Sequence, residues 1–302
     1  MARVPLRDGQ RLHVRVLGRG QPVLMLHGMG MSGNHWLPFI LPHLHRHRFY
    51  LPDLRGAGGS ASVPFKQGDI FQAHAEDVED VISHFDLRDI RLVGISLGAT
   101  TSLHLQRLGG FNRVARYLHI DQSPCIGNRD DWPHGLFGAR QPALFAQLRQ
   151  ILAILARHPQ ARRFADLPQP DRGEAGEILS EVLALMAGGS GTRTLMRRVL
   201  ALPPMLLSRL PVPMTDLVQM RTYLSAYVAG GHDYRPTLAR DAVPVTLMLG
   251  AHSPLYAEAG QREVARHHPA SRVVRFNRSG HVPLKDEPLR FLRELGRFLD
   301  AR

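Results

Sequence analysis

Val93-Gly94-Ile95-Ser96-Leu97-Gly98 decides how this chain of 302 residues is read. The apolar run 90–95 has the pattern of a strand, and 97–108, with Ala99, Leu103 and Leu105, that of a helix. Ser96 therefore falls on the sharp turn between them, where the backbone is strained and the hydroxyl is presented outward. Gly94 and Gly98 flank it because a Cβ at either place would collide with the strand or helix crossing beside the turn. G-x-S-x-G in a strand–turn–helix setting is the pattern of a nucleophilic serine.

Working outward, 4–6 and 12–16 read as a hairpin around the turn dipeptide Asp8-Gly9. The run 22–26 reads as a buried central strand that ends in His27-Gly28-Met29-Gly30. A strand at 49–51 closes on Asp53-Leu54-Arg55-Gly56-Ala57-Gly58-Gly59-Ser60. A helix is predicted over 74–85 from Val78, Val81, Ile82 and Phe85 on one face. After the serine turn and its helix, 115–120 is a strand ending at Asp121. The alternation then stops, and 125–240 holds helix-like segments near 143–156, 175–186, 193–207 and 214–228, broken by prolines and glycines that include Pro168, Pro170, Pro203 and Pro204. Strand 244–249, helix 257–267, strand 272–276 and helix 288–299 follow. Repeated strand–helix units imply an α/β fold with a doubly wound, mostly parallel sheet. Such sheets place their sites at the carboxyl ends of the strands. His27, Asp53, Ser96, Asp121, Ser253 and His281 all fall there.

Composition narrows the function classes. The net charge of +12 suggests a polyanion partner, but the basic residues are scattered and nearly all arginine, the only lysines being Lys66 and Lys285. A compositional bias accounts for that better than a nucleic-acid site. No apolar run reaches transmembrane length, and residues 1–9 lack the apolar core of a signal peptide. The single cysteine, Cys125, excludes an internal disulfide and suits a reducing compartment, so a cytoplasmic location is expected. No dinucleotide or phosphate-loop motif is present, and neither a cofactor nor a metal is expected. His43, His45 and His47 alternate, but no carboxylate or cysteine completes a ligand set, and they read as a solvated loop.

His27-Gly28-Met29-Gly30, the Asp53 to Ser60 segment, the Gly94 to Gly98 turn and Ser279-Gly280-His281 together resemble the α/β-hydrolase family in order and spacing. The resemblance covers 4–121 and 243–302. It implies a core domain of 1–124 and 241–302, with 125–240 standing where the family places its helical cap. It also implies Ser96 as nucleophile, His281 as base, and the backbone N–H groups of Met29 and Leu97 as oxyanion donors. A serine hydroxyl needs a neighbouring base to become nucleophilic, and histidine titrates in the right range. The chain departs from the common pattern at the acid. Gly250-Ala251-His252-Ser253 puts serine where an aspartate usually stands. Some family members, a branch of haloalkane dehalogenases among them, carry the acid after the strand that follows the elbow helix, and Asp121 holds that place. The expected triad is Ser96–His281–Asp121.

Other polar residues have structural readings. Asp53 and Arg55 are expected to fix their loop by mutual hydrogen bonding, His27 to tie neighbouring loops, and Trp36 to pack near the pocket, so His27 and Trp36 are carried as pocket candidates. Asp286 and Glu287 read as helix-start residues ahead of Pro288. The insertion is rich in Leu183, Leu185, Met186, Leu195, Met196, Met205, Leu206, Leu207, Met214 and Met220. Most of these pack helices, and some are expected to line an apolar pocket. A carboxylic ester of a hydrophobic acyl or aromatic group is the expected substrate. Thioesterase, acyltransferase, carbon–carbon bond hydrolase and cofactor-free perhydrolase chemistry on the same residues are the alternatives, together with a non-catalytic binding role.

Overall fold

Central strands whose apolar residues fall on both faces require cover on both sides, and the architecture supplies it. The computed structural model describes residues 1–65, 68–187, 194–195, 198–200, 202, 216–267 and 270–301. Eight strands form one sheet in the order β1-β2-β4-β3-β5-β6-β7-β8. They are β1 (Ala2–Pro5), β2 (Arg11–Gly18), β3 (Gln21–Leu26), β4 (His47–Pro52), β5 (Ile90–Ile95), β6 (Val114–Ile120), β7 (Val245–Gly250) and β8 (Arg272–Phe276). β1 and β2 pair antiparallel around a turn in which Gly9 has φ +84°, and β2 runs antiparallel to β4. From β4 to β8 every pairing is parallel.

Alternate residues of each central strand enter different cores. Leu24, Leu26 and Leu92 pack with Val78, Val81 and Ile82 of helix α1 (Ile70–His84) and with Leu103 and Leu105 of helix α2 (Leu97–Arg107). Val23, Met25, Val93 and Ile95 face Phe291, Leu295, Phe298 and Leu299. Burying one such side chain stabilises by about 1.5–3 kcal/mol. α1 begins a turn earlier than the periodicity predicts. Asp69 caps it by accepting the Phe71 N–H at 2.9 Å, and Ile70 and Phe71 are buried in the first turn.

The chain divides into two compact units: Met1–Cys125 with Asp233–Arg302, and Ile126–His232. The second unit is helical, with α3 (Gln141–Arg157), α4 (Gln169–Ala187) and α5 (Leu217–Ala229). Phe145, Leu148, Ile151, Ile154 and Leu155 form the buried stripe of α3. Pro170, expected as a break, instead sits in the first turn of α4, where a missing N–H costs no helical hydrogen bond. The expected segment 193–207 lies largely outside the described residues, as do Met196, Met205, Leu206, Leu207, Met214 and the side chain of Met186. The helical unit ends at His232 rather than near 240, because Tyr234 and Leu238 are buried in the core beneath the sheet. The chain leaves and re-enters the sheet unit through one antiparallel bridge, Cys125 opposite Asp233, with the Tyr234 N–H donating to Pro124 O at 2.9 Å. Helices α6 (Glu258–Arg266) and α7 (Pro288–Asp300) complete the sheet unit. Among the described residues no helix is long and apolar enough to cross a membrane.

Two glycines make opposite demands. A Cβ on Gly98 would stand 2.2 Å from Leu26 O, whereas one on Gly173, exposed on α4, would meet nothing within 4 Å. Gly98→Ala is therefore expected to lower stability by about 3 kcal/mol or more, and Gly173→Ala to raise it by about 0.5–1 kcal/mol. Thermal denaturation of the two variants beside the parent checks both signs.

Candidate active site

Ser96 has φ 52° and ψ −118°, a backbone conformation that costs a non-glycine residue on the order of 1–3 kcal/mol. Its neighbours hold it there. The Ser96 N–H donates to Ile120 O at 3.1 Å, tying the turn to the end of β6. A Cβ on Gly94 would lie 2.6 Å from Gly98 O, so β5 and α2 close on each other as the sequence requires. The contact of Gly98 with Leu26 also brings the end of β3 to the turn, and a Cβ on Gly28 would lie 3.3 Å from Ser96 Cβ. The Met29 N–H has no hydrogen-bond partner among the described residues. Leu97 opens α2, so its N–H has none within the helix.

Asp121 directly follows β6, with φ 46° and no solvent exposure. Its N–H donates to Met248 O at 3.0 Å. Oδ2 accepts the Gly250 N–H at 2.8 Å, and Oδ1 accepts the Ser253 hydroxyl at 2.6 Å. Oδ1 also lies 2.8 Å from His281 Nδ1. An ionised carboxylate only accepts, so Nδ1 is assigned the imidazole proton and Nε2 is the free acceptor. The sheet thus brings the expected base and acid together, and it gives Ser253 a place that the sequence reading did not anticipate.

The loop carrying His281 is braced from two sides. A Cβ on Gly250 would fall 1.7 Å from Gly280 O, so the end of β7 and this loop are in backbone contact. Asp286 Oδ2 accepts the Gly280 N–H at 2.9 Å and the Ser279 hydroxyl at 3.1 Å, and Glu287 Oε1 accepts the Arg278 N–H at 2.9 Å. These acids were expected as helix-start residues. Glu287 does stand at the start of α7, but it makes no side-chain cap there, and both carboxylates hold the histidine loop.

This geometry sits at the carboxyl ends of β3, β5, β6, β7 and β8. The family described as alpha/beta hydrolase fold matches residues 21–161. The chain has the α/β-hydrolase fold. Over 95% of its length and 98% of the relative's, it is 25% identical to a pimeloyl-[acyl-carrier protein] methyl ester esterase of Aeromonas hydrophila subsp. hydrophila. It is 33% identical to a non-heme chloroperoxidase of Kitasatospora aureofaciens, over 48% of this chain and 54% of that one. An esterase from Exiguobacterium antarcticum superposes with a TM-score of 0.73 at 20% identity, covering 99% of both chains.

The remaining candidates are structural supports. His27 is buried, with Nδ1 donating to Gly28 O at 2.8 Å and Nε2 accepting the Leu54 N–H at 3.0 Å, so it ties two loops as predicted. Trp36 is fully buried and stacks on Phe291 with ring centroids 6.4 Å apart. Asp53 and Arg55 fix their surroundings, but not through each other. Asp53 accepts the Gly33 and Gly59 N–H groups, each at 2.7 Å, and faces His13 at 3.0 Å. Arg55 pairs with Asp77 at 2.7 Å and Asp8 at 2.8 Å. His47 opens β4 and is buried, which corrects its reading as part of a solvated loop. The Cys125 thiol is buried and donates to Asp233 Oδ1 at 3.1 Å.

Burial pushes His27 down to about 4 and His74 down to about 3. Both are neutral in the folded chain at a pH where the unfolded chain, with histidine near 6.5, is protonated. Their contribution to stability is complete above about pH 6.5 and is lost as pH falls towards 4, at up to about 1.4 kcal/mol per pH unit for each. Guanidinium denaturation between pH 7 and 4.5 should show this loss, with a shallower slope in His27→Asn. A profile of equal slope in the two proteins would remove His27 from the account.

Proposed function

We propose that this α/β-hydrolase-fold enzyme cleaves carboxylic esters of hydrophobic acyl or aromatic acids through an acyl-enzyme on Ser96. The observation that carries the reading is the 2.8 Å contact between His281 Nδ1 and buried Asp121, on a fold whose strained turn presents Ser96. His281 Nε2 takes the Ser96 hydroxyl proton as the oxygen attacks the ester carbonyl, and returns it to the departing alcohol. Asp121 keeps the productive tautomer and offsets the charge that forms on the ring. The Met29 and Leu97 N–H groups meet the developing oxyanion, each such donor contributing about 3–4 kcal/mol to the transition state. Water then repeats the sequence on the acyl-enzyme. Similarity to a methyl ester esterase over nearly the full chain favours an oxygen ester over the thioester and carbon–carbon alternatives. The apolar composition of the inserted helical unit makes it the candidate for acyl selection.

Similarity to a non-heme chloroperoxidase supports a second reading on the same residues. Hydrogen peroxide replaces water in attack on the acyl-enzyme and releases a peracid. Peroxide-dependent halide oxidation in the presence of a short carboxylic acid separates it from simple hydrolysis.

Ser96→Ala and His281→Ala are each expected to lower turnover of activated esters by on the order of 10⁴-fold, with the fold retained. Fluorophosphonate should label the parent at Ser96 and leave Ser96→Ala unlabelled. Wild-type turnover by a contaminant-free Ser96→Ala protein sinks the assignment. Asp121→Asn should cost a comparable factor through the wrong tautomer. The Ser253 hydroxyl lies 2.6 Å from the oxygen that faces His281, so adding Ser253→Asp to Asp121→Asn should restore part of the loss. No recovery in the double variant means the two strand ends are not interchangeable positions for the acid.

A further inference from the structure

The proposed mechanism leaves Ser253 idle, yet the structure ties it to the acid. We infer that Ser253 is a positioning residue: its hydroxyl shares Asp121 Oδ1 with His281, fixing the carboxylate and limiting how strongly it holds the imidazole proton. The inference rests on the Ser96–His281–Asp121 reading and deepens it.

The hydrogen-bond directions carry the argument. Ser253 Oγ is 2.6 Å from Asp121 Oδ1, the same oxygen that His281 Nδ1 approaches to 2.8 Å. The Tyr256 N–H points at Ser253 Oγ from 3.4 Å and occupies a lone pair, which directs the hydroxyl proton to the carboxylate. Oδ2 is held separately by the Gly250 N–H. A serine serving only its own loop would bond within that loop, whereas this one reaches from the end of β7 across to the end of β6. Asp121 is fully buried, so water does not dilute the competition between its donors. Each donor withdraws negative charge from the acceptor. With Ser253 in place the positive charge that forms on the ring is held less tightly than beside a carboxylate that serves histidine alone.

The other titratable groups around the pair are Tyr256, whose ring centroid lies 6.2 Å from that of His281, and Asp286, which accepts the Gly280 N–H. His252 adds its backbone N–H to Ser279 O. Of these, Tyr256 is tied to Ser253 through its backbone N–H, while Asp286 and His252 bond the histidine loop through Gly280 and Ser279.

The test is the pH dependence of kcat/KM for p-nitrophenyl butyrate with the full chain. Ser253→Ala should move the ascending limb to higher pH by about half to one unit, and Ser253→Thr, which keeps a hydroxyl, should bring it back. A limb at the parent position in Ser253→Ala overturns the inference. So does a loss of turnover at every pH that threonine does not restore, since that is the mark of a merely structural residue. Should Ser253→Ala fail to fold, Ser253→Cys, with its weaker donor, must shift the limb in the same direction, and an unshifted limb there overturns the inference. Asp121→Asn separates the two levels. If it retains parent turnover, the triad and the role of Ser253 fall together. If it is inert while Ser253→Ala shows no shift, only the role of Ser253 falls.

Discussion

A carboxylate with no access to water has to be met by donors on every side, and Asp121 is such a group. Isolated in an apolar interior an ionised carboxylate costs several kcal/mol or more, and it stays charged only where hydrogen bonds replace its hydration. The donors here come from separate stretches of chain: a backbone N–H at the end of β7, a hydroxyl three residues further on, and an imidazole from the loop after β8. Strand order makes this possible. β6, β7 and β8 are consecutive neighbours in a parallel sheet, so their carboxyl ends open side by side. The left-handed backbone of Asp121 turns its side chain towards the other two ends, and the Gly250–Gly280 approach keeps those ends in contact.

A second constraint acts on the other flank. The absence of a side chain at Gly98 lets α2 ride directly on the last residue of β3, and this sets the distance between the loop at Gly28 and the turn at Ser96. His27 and Asp53 then secure the loops behind that contact, one as a neutral buried imidazole and the other as an acceptor for two backbone N–H groups. Reactive groups on loops are useful only when the loops are held, and these loops are held by backbone-directed bonds from buried side chains.

Much of this was legible from residue order because its causes are local. The serine turn needs glycines on both sides, a mostly apolar strand before it and a helix after it, and all three are contiguous in sequence. β5 and β8 fall on the predicted residues for the same reason. Asp121 is singled out only through resemblance, since nothing in its sequence neighbourhood distinguishes it from a turn aspartate. The bonds of Ser253, Asp286 and Glu287 were not legible, because each depends on which side chain or N–H a distant strand end presents. The same cause moved the end of the helical unit: nothing next to Tyr234 and Leu238 in sequence announces the core that buries them. Pro170 was misread by treating proline as a breaker irrespective of its position in the turn.

The bridge between Cys125 and Asp233 has a consequence for chain entropy. A flexible insertion taxes its host because its ends must be brought together, and that cost grows with the logarithm of its length. Here the ends are already paired at the point of exit, and the segment between them packs as its own compact body. To the sheet, the whole insertion is thermodynamically little more than a closed turn. Its length and sequence are free to diverge without retuning the strands, so one hydrolytic scaffold can be fitted with different helical modules by exchange at a single pair of neighbouring residues.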